Sequence, residues 1–175
     1  PSLVRIGGDR GMDLIMDWVN AGHGVGNHTA THRSLSSVEI TLDDFIADVK
    51  KADVALNHFP TWVPILRFPY LKEGDTQEKR DGIRSWMQSN GYQPAPVSID
   101  ASDWYYNQIY SAHLSAGSHE KVAQVRTAYI EHLVDRATYY DELAKQVLGR
   151  SPSHVMLLHT NAINAAVLPE IVSTF

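Results

Sequence analysis

The segment His28-Thr29-Ala30-Thr31-His32 sets two imidazoles four residues apart. On a helical turn, or in a tight loop entering one, such a pair lies on one side and can aim two ring nitrogens at a single cation. That chemistry suits Zn²⁺ or another divalent transition metal. Nine histidines in 175 residues would give roughly half a pair at this spacing by accident, so a solvated loop pair is the competing reading for these two taken alone. The zinc-peptidase helix needs a Glu directly after its first His as general base, and Thr29 stands there, which removes the peptidase reading. Three further polar segments accompany the pair: Arg67-Phe68-Pro69-Tyr70, Asp100-Ala101-Ser102-Asp103-Trp104 and Leu157-Leu158-His159. Each has a plain structural alternative. Arg67 could pin a loop through a surface ion pair, Asp100 could shape a turn, Asp103 could cap a helix starting at Trp104, and His159 could be a satisfied core histidine. Trp104, Tyr105 and Tyr106 are either core or rings that stack on sugar faces. His58, His113, His119, His132 and His154 are assigned to the surface.

Elements that could position these residues can be read from periodicity. Met12 to Ala21 carries Leu14, Ile15, Trp18 and Val19 at helical spacing and ends at Gly22, a residue suited to a left-handed cap. His23 to Asn27 reads as a short buried strand or turn that delivers His28 at its carboxyl end, where α/β folds place their sites. Thr41-Leu42-Asp43-Asp44 has the capping-box pattern, and Leu42, Phe45, Ile46, Val49, Ala52 and Leu56 share a face after it, predicting a helix over about 41–57. Pro60 and Pro64 break that pattern, and Val63 to Phe68 is a core strand leading into Pro69-Tyr70. Asp75 is expected to cap a helix that runs through Trp86 and Met87 and stops at Asn90-Gly91, followed by a strand over Pro96 to Ile99. Residues 105–118 are Tyr-rich and indistinct. His119 to Leu148 predicts a long amphipathic helix ended by Gly149 and Pro152, Val155 to Leu158 a buried strand with His159 at its end, and Ile163 to Val172 the start of a closing helix. Alternating strands and helices imply a parallel sheet wrapped by helices.

Composition bounds the function. Hydrophobic residues make up 43% and charged residues 20%, as in globular chains, and no apolar run is long enough to cross a bilayer. The formal net charge of −5, with no dense Lys/Arg stripe, gives no surface for nucleic-acid phosphates. Cysteine is absent, which excludes thiolate chemistry and leaves any metal to His and carboxylate ligands. Residues 1–175 read as a single domain.

Together the four segments resemble the NodB-homology polysaccharide deacetylases, carbohydrate esterase family 4, from about Gly22 to Ala165. Gly22 to His32 is similar to that family's metal motif with its lead-in strand, Arg67 to Tyr70 to its Arg-x-Pro-Tyr motif, Asp100 to Trp104 to its Asp-x-x-Asp-Trp motif, and Leu157 to His159 to its Leu-x-His. The resemblance implies a distorted (β/α) barrel. It implies that His28 and His32 bind Zn²⁺, that His159 is the general acid held by Asp103, and that Arg67 orients the catalytic base. The backbone N–H of Tyr70 would bind the oxyanion, and Trp104 and Leu157 would line the acetyl pocket. The implied activity is removal of acetyl from an N-acetylated polysaccharide or oligosaccharide of the chitin or peptidoglycan type, in a secreted or periplasmic protein. O-acetyl xylan esterase activity and a non-catalytic carbohydrate-binding relative are the alternatives. The family's first-strand Asp-Asp motif, which supplies the base and the third metal ligand, has no counterpart in this sequence, because Asp9, Asp13 and Asp17 sit in a turn and helix setting. It is expected upstream of Pro1, and the family's last helix and strand beyond Phe175, in a longer protein.

Overall fold

A computed structural model of the chain describes residues 9–175. It divides into two compact units at Pro96/Val97, each with its own core. Both are α/β with parallel strands.

In the first unit, α1 (Asp9–Asn20) ends at Gly22, whose φ of +88° is the left-handed cap expected there. It leads to β1 (Val25–Asn27). Then α2 (Leu42–Leu56) opens on the capping box: Thr41 Oγ1 accepts from Asp44 N at 3.1 Å while Asp44 Oδ2 accepts from Thr41 N at 3.2 Å. Next come β2 (Trp62–Leu66), α3 (Gln77–Ser89) and β3 (Gln93–Pro94), and the strands form a parallel sheet in the order β1-β2-β3. Pro64 lies inside the central strand, a place proline rarely occupies because it cannot donate to the ladder. It is tolerated because β2 bulges there: Val25 and Asn27, two apart, pair with Trp62 and Leu66, four apart, and pairing with β3 begins only at Ile65. Phe45 of α2 stacks on Phe68, with ring centroids 5.9 Å apart, and both join Leu35, Val49, Leu66, Ile83 and Met87 in the core. The cap of α3 is Thr76, whose hydroxyl accepts from Lys79 N, rather than the expected Asp75; Asp75 instead pairs with the Lys79 ammonium at 2.9 Å.

The second unit holds β4 (Ile99–Asp100), α4 (Asp103–Ser115), α5 (His119–Leu148), β5 (Met156–Leu157) and α6 (Ala162–Thr174). Its two strands pair in parallel, Ile99 with Met156 and Asp100 with Leu157. Both are shorter than the sequence predicts. The Tyr-rich stretch without a visible pattern is α4. Its exposed Trp104, Tyr105 and Leu114 spread around the helix, and Asp103 and Tyr110 are its buried residues, so no apolar stripe announces it. On α5, Tyr129 and Leu133 are buried against Tyr110, Ile163 and Val167, whereas Leu143 and Val147, read as part of the same stripe, are exposed. Among the described residues no helix is long and apolar enough to cross a membrane.

Candidate active site

In the first unit, the parallel pairing of β1 and β2 brings their carboxyl ends side by side. Arg67 N donates to the Asn27 carbonyl at 3.0 Å, so His28 and Arg67 leave the sheet together. Between His28 and His32 the chain forms a tight loop, not a helical turn. Thr29 (φ 63°) and His32 (φ 59°) are both left-handed, a conformation that branched and bulky side chains avoid. Side chains hold the bend: Asn27 Oδ1 accepts from Thr29 N at 2.7 Å and Thr29 Oγ1 from His32 N at 3.0 Å. The two Nε2 atoms stand 3.1 Å apart.

That separation fits two ligands of one metal, because tetrahedral zinc with bonds of about 2.0–2.1 Å holds its ligand nitrogens about 3.3 Å apart. The protonation also fits. His28 Nδ1 lies 2.7 Å from the Arg67 carbonyl oxygen, which can only accept, so Nδ1 carries the hydrogen and Nε2 is left with its lone pair. Without a metal, His32 Nε2–H donates to that lone pair. Burial, against the opposing Nδ1–H bond to the Arg67 carbonyl and with smaller help from the neighbouring His32 and Arg67 charges, pushes His28 below its ordinary value of 6.5 and so favours the neutral form that a metal requires. Among the described residues no group of three His, Cys, Asp or Glu side chains gathers to complete a metal cage.

Arg67 is half-buried, its Nε donates to the Ala95 carbonyl at 3.3 Å, and burial lowers its pKa. It makes no ion pair among the described residues. Tyr70 is exposed, its ring meets His32 edge-on at 4.9 Å, and its φ of 58° begins a left-handed pair with Leu71. The non-glycine residues at positive φ among those described are Thr29, His32, Tyr70, Leu71 and Ser102. All fall within or directly beside the sequence motifs, the kind of place where backbone strain is retained for function.

In the second unit, Asp103 is 2% exposed and His159 is nearly half exposed, at 47% for its side chain. The carboxylate accepts from four donors: His159 Nδ1 at 2.6 Å, His159 N at 2.7 Å, Asn161 Nδ2 at 3.0 Å and Asn164 Nδ2 at 2.5 Å. Its cost of burial is thereby met, and the ring is fixed with Nδ1–H on Asp103 and Nε2 as the remaining proton site. Asp103 is the first residue of α4; the residue before it, Ser102, takes the cap position. Asp100 Oδ1 accepts from Ser102 N at 3.1 Å, which is the turn role expected of it. Trp104 is 61% exposed, and Leu157 sits in β5 beside Asp100.

Several contributors escaped sequence reasoning. Asn161 caps α6, accepting from Asn164 N at 2.9 Å, and Asn164 Oδ1 accepts from the buried Tyr129 hydroxyl at 2.7 Å. Burial, then the Asp103 charge, raises the Tyr129 phenol above its ordinary value. The Asn-x-x-Asn pattern after His159 was the available signal. His154, assigned to the surface, is instead held between Ser98 Oγ (3.1 Å) and Asp141 Oδ1 (3.3 Å).

Residues 6–94 match the family model described as polysaccharide deacetylase. The chain belongs to the polysaccharide deacetylase family. Membership supports hydrolysis of acetyl groups on carbohydrate, by a family that is generally metal-dependent. The matched span contains His28, His32, Arg67 and Tyr70; Asp103, Trp104, Leu157 and His159 lie beyond it. No curated protein and no solved structure matched the chain.

Proposed function

We propose that this polysaccharide deacetylase removes acetyl from the nitrogen of N-acetylated sugars in a chitin-type or peptidoglycan-type polymer, outside the cytoplasm, with Zn²⁺ or a similar divalent ion held by His28 and His32. The observation that carries the metal reading is the fixed Nδ1–H tautomer of His28, which leaves an Nε2 lone pair facing His32 Nε2 at 3.1 Å. When bound, such an ion supplies a Lewis acid for the acetyl carbonyl and makes hydroxide available near neutral pH.

The remaining roles fall to the chain. Tyr70 N–H donates to the carbonyl oxygen as it gains charge, a donor whose position is set beforehand by the bent backbone. Arg67 would orient the catalytic base. As the carbon–nitrogen bond breaks, His159 passes the proton on Nε2 to the leaving nitrogen, and Asp103 keeps the ring in the required tautomer. Acetate and a free amine result. Trp104 and Leu157 line the acetyl pocket, and the deacetylase barrel is the fold in which the family's four motifs would act.

Acetate release from chitin oligomers, peptidoglycan fragments and acetylated xylan tests the reading. Release from the first two that stops with chelator and returns with Zn²⁺ is expected. Release from xylan alone would assign O-acetyl esterase activity, and binding without release would make the chain a carbohydrate-binding relative.

A further inference from the structure

The His28–His32 loop has a second anchor beneath it that the chemistry so far has not used. Asp48, on α2, is 6% exposed, and among the described residues no Lys, Arg or His forms an ion pair with it. Its Oδ2 accepts from Thr31 N at 3.0 Å and from Thr31 Oγ1 at 2.8 Å, and its backbone carbonyl accepts from Ala30 N at 3.3 Å. A buried carboxylate needs donors to offset its lost hydration, and here they come from the middle of the bend, between the two left-handed residues Thr29 and His32. Farther along the same helix, Val49 O and Asp53 Oδ1 accept from Asn27 Nδ2 at 2.9 Å and 2.7 Å, fixing the residue before His28.

We propose that Asp48 is a positioning residue for the histidine pair: through Thr31 it holds the strained loop so that both Nε2 atoms sit at ligation distance before any cation arrives. The proposal rests on the reading of His28 and His32 as metal ligands. Left-handed non-glycine residues persist where surrounding bonds over-determine them. Removing the Asp48 carboxylate frees Thr31 to relax, and ordering the pair then falls to the incoming ion. Partners one step removed from a metal characteristically change its affinity about 10–100-fold.

The test titrates Zn²⁺ into the full chain and records the His28 and His32 ring signals by NMR in the metal-free protein. Asp48→Ala is expected to weaken Zn²⁺ binding about 10–100-fold and to shift both ring signals, whereas Asp48→Asn, which keeps an acceptor for Thr31 N–H, recovers binding to within a few-fold. Thr41→Ala removes the cap of the same helix and should lower Tm without changing Zn²⁺ affinity. Wild-type affinity and ring signals in folded Asp48→Ala would overturn the proposal. So would a Thr41→Ala protein that loses as much affinity, since that would reduce the effect to general loosening of α2. Thr31→Val removes the hydroxyl half of the link, leaving the Thr31 N–H bond, and serves if Asp48→Ala does not fold; a few-fold weaker binding with shifted ring signals supports the proposal, and unchanged binding overturns it. His28→Ala separates the two readings. If it leaves Zn²⁺ binding intact the ligand assignment fails, while the metal-free ring signals still report whether Asp48 sets the loop.

Discussion

One carboxylate, Asp103, accepts four hydrogen bonds at 2% exposure, while its imidazole partner stands half in solvent. The asymmetry separates two variants that a motif alone would treat as equivalent. His159→Ala removes an exposed ring and its side-chain bond to Asp103, so it should leave stability nearly unchanged and lower turnover about 10²–10⁴-fold, the usual contribution of a positioned proton donor. Substrate affinity should move far less, which steady-state kinetics on a defined acetylated oligosaccharide would show. Asp103→Asn keeps one acceptor oxygen but turns an NH₂ toward donors of Asn161, Asn164 and the backbone. It should lose turnover and also about 1–3 kcal/mol of stability, the cost of leaving buried polar groups unpaired. A stable Asp103→Asn protein with wild-type kcat would remove the tautomer-holding role. At the other motif, His28→Ala should abolish most Zn²⁺ binding, and unchanged metal stoichiometry would refute its place as a ligand.

Elements differ in how plainly they announce themselves. The helix α2 was legible because Thr41 and Asp44 satisfy each other's backbone N–H groups and the residues after them repeat on one face, so local and tertiary signals agree. Thr41→Ala should therefore cost about 1 kcal/mol in urea unfolding. The cap of α3 was misplaced by one residue since Asp75 and Thr76 are both good caps, and sequence cannot tell which carries the extended backbone. Thr76→Ala should lower stability by about 1 kcal/mol, and Asp75→Ala, which leaves Lys79 Nζ its bonds to the Leu35 and Ser37 carbonyls, should cost less. Strands of two residues, such as β3, β4 and β5, contain no period to detect. In β1, the glycine-rich spelling has a physical cause: a Cβ on Gly26 would lie 2.5 Å from Ile65 Cγ1. Gly26→Ala should destabilise by about 1–3 kcal/mol through overpacking and disturb the ring signals of His28 downstream. The anchors Asn27 and Asp48 were illegible because their value lies in partners 17 to 65 positions away, and no spacing encodes that; Asn161 and Asn164 left only the local Asn-x-x-Asn cap pattern, with their bonds to Asp103 equally unencoded.

Across the whole molecule, the displaced titrations share one pattern with a determinate sign. On the acid side, Asp141 is held at about 2 by Lys145, Ser151 and His154. Asp44, Asp75 and Asp81 are also lowered, each first by a side-chain hydrogen bond. Their contribution is present above the ordinary value of 3.8 and is lost as pH falls through the lower folded values, because the unfolded chain then binds more protons. Half-buried His28, lowered from 6.5, acts in the same direction and begins to subtract stability once pH drops below that value. On the alkaline side, Tyr92 and Tyr129 are both raised above 10.0, chiefly by burial, so their contribution is complete below that value and lost above it as the unfolded phenols ionise first. The metal-free chain should accordingly be most stable on a plateau between 6.5 and 10.0, bounded by these groups. Urea midpoints at about pH 3, pH 8 and pH 11 measure it. Asp141→Asn should flatten part of the acid limb alone, and Tyr129→Phe part of the alkaline limb alone, at some loss across the range from its bond to Asn164. An acid limb that Asp141→Asn leaves untouched would show that the Lys145–Asp141–His154 cluster does not couple proton binding to the fold.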